Sequence, residues 1–178
     1  MCGTSTSTPN LNGIATLVKQ RHPDWSPAAI KSAIMTTSMI TVHDRKPIMN
    51  EQLHPANSFM MEANQVNPYK AFDPGLVFHV DHKEYIALLC GMEYKDKDVS
   101  LIVGENIQCS KIHSISQSKL NYPTIVLSMK QCVKVNRTVN NVGKAMSTCK
   151  LEIDMPDEGM VKVVPNVLKF NKLNEKQS

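Results

Sequence analysis

The sequence predicts an α/β segment followed by an incomplete all-β sandwich. Two observations support this prediction: helical spacing of apolar residues near the N-terminus, and period-two alternation of apolar residues from residue 120 onward. Turn residues separate the alternating runs, as they do between the short strands of a sandwich. A sandwich of this kind usually needs about 100 residues, and the sequence ends at Ser178. We therefore expect its last strands to be absent.

The first helix is predicted to begin near Ser5. Thr4 and Ser5 are good cap residues, and Pro9 is tolerated in a first turn, where its missing N–H costs little. The apolar residues that follow recur at intervals of three and four, which gives one buried helical face. This face consists of Leu11, Ile14, Ala15 and Val18.

A second helix is predicted to begin at Ser26. Ser26 is a good N-cap residue, and Pro27 suits the first helical position because its fixed φ angle fits the helix. An irregular stretch rich in Pro, Asn and Met follows and continues to about residue 80. The first part of the chain is therefore expected to hold two helices and little other regular structure.

Two further short helices are predicted over 82–90 and 97–103. Asp81 with Glu84 makes a capping-box pattern, in which each residue satisfies a free N–H group of the other. Asp96 is expected to cap the next helix. Both helices would lie between the α/β segment and the sandwich.

Short alternating runs predict the strands of the sandwich. Their alternating apolar residues are Ile125, Leu127, Met129, Val133, Val135, Leu151, Ile153, Val161 and Val163. Residues 140–143 and 156–159 have the composition of turns, and a strand is expected to end near Phe170.

The composition argues against several classes of function. The net charge is +4, but the lysines are scattered among acidic residues, which is typical of a solvated surface and not of a nucleic-acid-binding protein. No apolar run approaches ~18 residues, so we expect no membrane span. None of the five cysteines forms a C-x-x-C pair, which disfavours a zinc site.

Residues 3–10 read Gly-Thr-Ser-Thr-Ser-Thr-Pro-Asn and lead into the first helix. Free N–H groups and the dipole at a helix start favour negative charge, which suits an oxyanion formed during acyl transfer. Ser5 is thus a candidate nucleophile, although a serine hydroxyl needs a neighbouring base to become reactive. The alternative interpretation is an ordinary Ser/Thr-rich helix cap.

This octapeptide resembles the nucleophile turn of subtilisin-like serine proteases, Gly-Thr-Ser-Met-(Ala/Ser)-(Thr/Ser)-Pro-His, with Ser5 at the nucleophile. Residues 21–37 resemble, nearly letter for letter, the segment after the nucleophile helix of plant cucumisin-like subtilases. Other matching segments follow in the family's order. They are Val66-Asn67-Pro68, residues 71–78, residues 81–91, Leu120-Asn121-Tyr122-Pro123 and Arg137-Thr138-Val139-Asn140-Asn141-Val142-Gly143. The resemblance covers essentially the whole chain.

The resemblance implies a serine-type endopeptidase that acts on peptides or proteins and needs neither metal nor organic cofactor. It divides the chain into the C-terminal part of a subtilase catalytic domain, a helical connector and a truncated fibronectin type-III-like domain. These segments are residues 1–80, 81–118 and 119–178. It also implies a Cys90–Cys109 disulfide, whereas pairing of Cys132 with Cys149 stays open.

The same resemblance implies that the catalytic Asp and His precede the nucleophile, and only four residues precede Ser5. His22 lies seventeen residues further along the helix, about 25 Å away at 1.5 Å per residue. The other histidines match non-catalytic family positions; they are His43, His54, His79, His82 and His113. We therefore expect no peptidase activity from residues 1–178 alone.

The chain departs from the family pattern at several positions. Thr6 replaces the usual Met, and Asn10 replaces the common His. Residues 62–65 read Glu-Ala-Asn-Gln where the family has a Gly-x-Gly-His type of sequence, so two glycines are lost from a tight turn. Cys2 and Thr6 flank the nucleophile and are expected to alter its packing. Together, these departures are typical of drift or local strain.

An alternative function is that of a non-catalytic remnant whose sandwich binds other proteins, and a homodimer through this domain is a further expectation. Relatives are extracellular or vacuolar, while Met1 abuts the motif and predicts no signal peptide in these residues. A truncated gene product and a genuine short product both stay open. The sequon at Asn136 matters only for a secreted chain. We expect the isolated chain to be poorly soluble or partly molten, since the sheet that covers the first helix in relatives is missing.

Overall fold

A computed structural model describes residues 3–42, 44–61, 63–126, 132–153 and 161–178. The helices in these residues are α1 (Thr4–Arg21), α2 (Pro27–Thr36), α3 (Ser58–Met61), α4 (Pro68–Phe72), α5 (His82–Gly91) and α6 (Asp96–Val103). The strands are β1 (Leu76–Phe78), β2 (Val139–Asn141), β3 (Ser147–Lys150), β4 (Val167–Phe170) and β5 (Lys176–Gln177). Two short 3-10 turns, Cys109–Lys111 and Gln117–Lys119, connect α6 to the strands that follow. The fold thus mixes helices with small antiparallel sheets.

The strands form two small sheets. The first has the order β1-β2-β5, and both of its pairings are antiparallel, with Val77 opposite Asn140 and Asn140 opposite Lys176. The second consists of β3 and β4, again antiparallel, with Thr148 opposite Lys169. Because β1 pairs with β2, backbone hydrogen bonds join the predicted first segment to the predicted third one.

A cluster of buried side chains lies between α1, α2, α4 and β1. Its buried members are Val18, Trp25, Ala29, Ile30, Ala33, Ala71 and Val77. The hydroxyl of the buried Ser32 accepts a hydrogen bond from the Phe78 N–H at 2.9 Å, which fixes α2 against β1. Val142 also packs on this cluster, so the segment after β2 contributes to the same core.

Helix α1 differs from the prediction at its start. Gly3, with a φ angle of 122°, is the N-cap, and Thr4 and Ser5 already lie in the first turn. Pro9 lies in the second turn, where its ring nitrogen cannot donate to the Ser5 carbonyl. Val18 is buried and Ile14 and Ala15 are half-buried, as predicted, but Leu11 is 42% exposed because no described element covers that end of the helix.

The two connector helices are present at the predicted positions. Asp81 accepts a hydrogen bond from the Lys83 N–H, and the Glu84 carboxylate accepts one from the Asp81 N–H at 2.8 Å, which confirms the capping box. The expected cap of α6 is wrong. Lys95 is the N-cap residue there, and Asp96 instead accepts a hydrogen bond from the Cys109 N–H at 3.0 Å.

The Cys90–Cys109 disulfide is present, with a Cα–Cα distance of 5.3 Å. It joins the end of α5 to the 3-10 turn that follows α6. Cys132 and Cys149 both carry free thiols within the described residues, so the pairing that was left open between them is not formed. Cys2 lies outside the described residues.

Most of the predicted strand positions are wrong. Ile125, Val133, Val135, Leu151, Ile153, Val161 and Val163 lie in irregular segments. Leu127, Met129 and residues 156–159 lie outside the described residues. The strand that ends at Phe170 is confirmed, whereas Asn140 and Asn141, predicted in a turn, belong to β2. Alternation gave the wrong positions because a strand also requires a neighbour that pairs along its length, which alternation does not supply.

Candidate functional site

Ser5 lies at the second position of α1, and its side chain is exposed. The first N–H groups of a helix have no partner within it. At this end, the Thr6 and Ser7 N–H groups donate to the Gly3 carbonyl at 3.1 and 3.3 Å. Among the described residues, the N–H groups of Thr4 and Ser5 have no acceptor, so they are the candidate donors of the first turn.

The hydroxyl groups of this turn fall into two sets. Ser7 and Thr8 donate back to the Thr4 carbonyl at 3.2 and 2.8 Å, as hydroxyl residues inside helices often do. The Ser5 hydroxyl, by contrast, has no hydrogen-bond partner among the described residues. The same holds for the hydroxyls of Thr4 and Thr6. The candidate nucleophile is thus available to a base and a substrate.

No histidine of the described chain is placed as a base for Ser5. His22 lies just beyond the opposite end of α1, where its Nε2 is 2.8 Å from the Phe72 carbonyl and its ring stacks on Trp25. His82 forms a 2.7 Å contact with Asp81 on the surface. His43 lies outside the described residues. Among the described residues, Ser5 therefore lies beside backbone N–H groups but has no histidine or carboxylate partner that would complete a catalytic triad.

A serine–histidine contact occurs elsewhere, and sequence reasoning missed it. The Ser26 Oγ lies 3.2 Å from the His79 Nδ1, beside a cavity of about 220 Å³ that Asp24, Asn140 and Lys176 also line. The same Ser26 Oγ accepts the Ala29 N–H at 3.2 Å as the cap of α2. Among the described residues, no carboxylate is hydrogen-bonded to His79, so the pair acts as a structural link between α2 and the end of β1.

Asn121 and Arg137 hold the connector to the strand segment. The buried Asn121 side-chain amide donates to the carbonyls of His79 and Thr138 at 2.9 and 2.8 Å, and its oxygen accepts the Thr138 N–H at 2.8 Å. Arg137 donates to the carbonyls of Ser118 and Tyr122, both at 2.8 Å. Partial burial lowers the pKa of Arg137 below its usual value, although the guanidinium remains charged. We call this set of bonds the Asn121 clasp.

The described residues hold no cluster of three or more metal-ligating side chains. In the described part of the chain, no helix combines the length and the apolar character that crossing a bilayer requires. Two exposed carboxylates have lowered pKa values. Backbone N–H groups are the main cause: that of Lys83 lowers the pKa of Asp81, and that of Asn171 lowers the pKa of Glu175. Neither carboxylate is hydrogen-bonded to Ser5, so the two lowered pKa values reflect hydrogen bonds at the start of α5 and in the turn after β4, and not the candidate site.

Comparison with known families divides the chain at the connector. Residues 1–78 match the subtilase family, and residues 119–178 match a fibronectin type-III domain. The first match contains Ser5 and the core around α1 and α2, and the second contains Asn121, Arg137 and strands β2 to β5.

Individual relatives match over the whole chain. Subtilisin-like proteases SBT4.3 and SBT5.3 of Arabidopsis thaliana are 38% and 40% identical over 183 and 178 aligned residues. Subtilisin-like protease SBT3 of Solanum lycopersicum is 36% identical over 188 residues. These alignments cover 100%, 99% and 99% of this chain, but only 24%, 23% and 24% of the respective relatives.

Helices α1 to α4 lie in the segment that matches the subtilase family, and strands β2 to β5 lie in the segment that matches a fibronectin type-III domain, so the matches define a subtilase segment followed by a fibronectin-like one. The chain belongs to the plant subtilisin-like protease family, with subtilase sequence in residues 1–78 and a fibronectin type-III domain in residues 119–178. It spans about a quarter of the length of the curated relatives that it matches.

Proposed function

We propose that this chain provides the nucleophile of a subtilisin-like serine endopeptidase, and that Ser5 is that nucleophile. The observation that carries the proposal is the position of Ser5 in the first turn of α1, where its side chain is exposed and where the Thr4 and Ser5 N–H groups have no acceptor among the described residues. The family match over residues 1–78 supports it, because the matched segment contains this turn.

The chemistry that this arrangement supports is acyl transfer. The Ser5 Oγ attacks a peptide carbonyl while a base removes its proton, and the carbonyl oxygen becomes an oxyanion. The Ser5 N–H has no acceptor among the described residues and would donate to that oxyanion, while the dipole of α1 stabilises the developing charge. The base then gives the proton to the amine, which departs as the acyl-enzyme forms, and water hydrolyses the ester to regenerate Ser5.

The base and its orienting carboxylate are proposed to come from outside these 178 residues. His22 and His79 are both occupied by contacts elsewhere in the core, at Phe72 and Ser26. In subtilisin itself, a relative of this chain in which the effect has been measured, loss of the catalytic His alone reduces turnover on the order of a millionfold. Residues 1–178 alone are therefore proposed to be inactive.

The remaining features follow from the family assignment. Peptides or proteins are the proposed substrates, and an extracellular or vacuolar location is proposed by analogy with plant relatives. The proposed boundaries are residues 1–80 for the catalytic part, 81–118 for the connector and 119–178 for the fibronectin-like domain. A homodimer through residues 119–178 stays a prediction.

The test is peptide hydrolysis by the chain extended at its N-terminus with a subtilase segment that carries the Asp and His. Ser5→Ala is expected to abolish turnover in this extended protein. Ser7→Ala is the matched control, since the Ser7 hydroxyl is already bonded to the Thr4 carbonyl, and it is expected to retain activity. Loss of activity in Ser7→Ala with retention in Ser5→Ala would overturn the assignment.

A non-catalytic binding module is the second candidate. Its support is a set of exposed apolar side chains in the fibronectin-like segment, namely Val126, Val161, Val163 and Val164. Such side chains are used at protein–protein contacts. The test compares binding of a peptide inhibitor by the extended protein with and without residues 119–178. Equal binding would show that this segment is not needed for substrate binding, and would favour a role in binding a separate protein partner.

A further inference from the structure

The sequence contains one N-glycosylation tripeptide, Asn136-Arg137-Thr138. It lies in an irregular stretch that leads into β2, and Asn136 is exposed. Among the described residues, the Asn136 side chain has no hydrogen-bond partner, and its carbonyl accepts a bond from the Arg137 guanidinium at 2.9 Å. The acceptor residue is therefore open to solvent in the folded chain.

The other two residues of the tripeptide are engaged in the fold. Arg137 and the backbone of Thr138 belong to the Asn121 clasp. The Thr138 Oγ1 lies 2.8 Å from the Ser178 Oγ. The tripeptide thus has an exposed first residue and a third residue whose backbone is bound on both sides to Asn121, while its hydroxyl contact with Ser178 lies at the surface. Folding therefore restricts the backbone that a transferase must bind but leaves room around Asn136.

We propose that Asn136 carries an N-linked glycan, and that the glycan is added before the Asn121 clasp closes. The tripeptide requires a hydroxyl residue at its third position, so the transferring enzyme must reach Thr138. In the folded chain, Thr138 is bound through its backbone to Asn121 and through its hydroxyl to Ser178. Transfer must therefore precede folding, whereas the exposed Asn136 accommodates the sugar afterwards.

The reaction uses a lipid-diphosphate-linked oligosaccharide as its donor. The Asn136 amide nitrogen forms a bond to the anomeric carbon of the first sugar, and the bond from that carbon to the phosphate oxygen breaks. The lipid diphosphate leaves with the electron pair, and the amide proton passes to a base of the transferase. No electrons are exchanged with an oxidant or reductant.

This proposal rests on the secretory route proposed above. The Cys90–Cys109 disulfide supports that route, because such bonds persist in oxidising compartments. The disulfide also serves as an internal reporter, since its formation shows that a given molecule has reached such a compartment. Glycosylation and secretory entry can therefore be scored separately on the same molecule.

The test is expression of all 178 residues behind a cleavable secretory signal in yeast, followed by intact-mass measurement. Endoglycosidase H leaves one N-acetylglucosamine, which peptide mass spectrometry then locates. We expect it on Asn136, absent from Asn136→Gln and Thr138→Ala, and retained in Thr138→Ser, which keeps the hydroxyl. An unmodified Asn136 in chains whose Cys90–Cys109 disulfide has formed overturns the proposal while the secretory route stands.

The order of events has its own measurement. Unglycosylated, disulfide-bonded protein and the same protein reduced in denaturant are each offered to solubilised microsomal transferase with its donor. We expect modification of the unfolded chain and none of the folded chain. Equal modification of both would overturn the claim that closure of the clasp blocks Thr138.

Discussion

Ser5 has the same open hydroxyl as its neighbours Thr4 and Thr6, so the side chain alone does not define the site. Its position relative to Gly3 does. The Gly3 carbonyl accepts hydrogen bonds from the N–H groups of Thr6 and Ser7, and the Ser5 N–H has no acceptor among the described residues. The backbone conformation around Ser5 therefore defines the candidate site as much as the serine side chain does.

Asn64 provides a prediction about the lost family glycines. Its φ angle is 64°, a left-handed conformation that glycine and asparagine adopt more easily than other residues. Asn64→Ala is expected to lower the free energy of unfolding by about 1 kcal/mol, whereas Asn64→Gly should be tolerated. Urea unfolding measures the free energy of unfolding of both variants. Equal stability of the Asn64→Ala and Asn64→Gly variants would contradict the claim that an alanine is strained in this left-handed conformation.

Asn121 provides a second prediction. It is 8% exposed and makes three hydrogen bonds that link residue 79 to residue 138. Asn121→Ala leaves these backbone groups without partners and is expected to cost about 2 to 4 kcal/mol of unfolding free energy. Asn106→Ala, in an exposed turn, is the control and should cost little. The clasp would be dispensable if both variants unfolded at the same urea concentration.

Residue types explain which of these details could be predicted. Ser26 before Pro27 and Asp81 with Glu84 are local patterns, and the structure confirms both. The Asn121 clasp and the Ser26–His79 contact join residues 15 to 53 positions apart, and the clasp uses backbone groups that every residue possesses. No sequence pattern identifies such a partner.

At the scale of elements, the longer helices α1, α2, α5 and α6 were predicted, whereas the short helices α3 and α4 and most strands were not. A helix is satisfied by its own hydrogen bonds, so spacing and caps suffice to locate α2 and α5. A strand depends on a neighbour that the sequence does not indicate. Strand β1 finds its partner more than 60 residues further along the chain, since Leu76 lies opposite Asn141 and Phe78 opposite Val139. Apolar and polar residues alternate in the segments after residue 150, as they do in strands. The described residues between residue 150 and β4 nevertheless form no strand.

The start of α5 should depend on pH. The Lys83 N–H lowers the pKa of Asp81 below its ordinary 3.8, so the charged carboxylate stabilises the first turn. This stabilisation is present above the ordinary pKa and is lost as the pH falls through the lowered one. Asp81→Ala should speed amide hydrogen exchange at Lys83 and Glu84 severalfold. Asp81→Asn keeps a capping oxygen and should retain protection but lose its pH dependence.

For the whole molecule, the core is small for the length of the chain. The accessible surface is 13888 Å², whereas a compact monomer of this mass exposes about 8,700 Å². Much of the apolar surface of α1 is uncovered, with Leu11 and Leu17 at 42% and 50% exposure. Uncovered apolar surface of this kind is what we expect of a chain that matches about a quarter of each relative.

Exposure of α1 predicts self-association of the isolated chain. Replacing both Leu11 and Leu17 with Gln removes apolar surface worth on the order of 1 kcal/mol at each position, without touching the buried Val18. We expect the double variant to remain monomeric at concentrations several times higher in sedimentation velocity. Asn12→Gln, on the same helix, is the control. Unchanged association in the double variant would place the contact elsewhere.

The measurement that tests the central claim most directly is covalent labelling of Ser5 by a fluorophosphonate probe, followed by peptide mass spectrometry. We expect no labelling of the 178-residue chain, because no base within its described residues lies beside Ser5. We expect labelling at Ser5, and none in Ser5→Ala, once an N-terminal segment supplies the Asp and His. Labelling of Ser5 in the unextended chain, or of a different serine in the extended protein, would contradict the account.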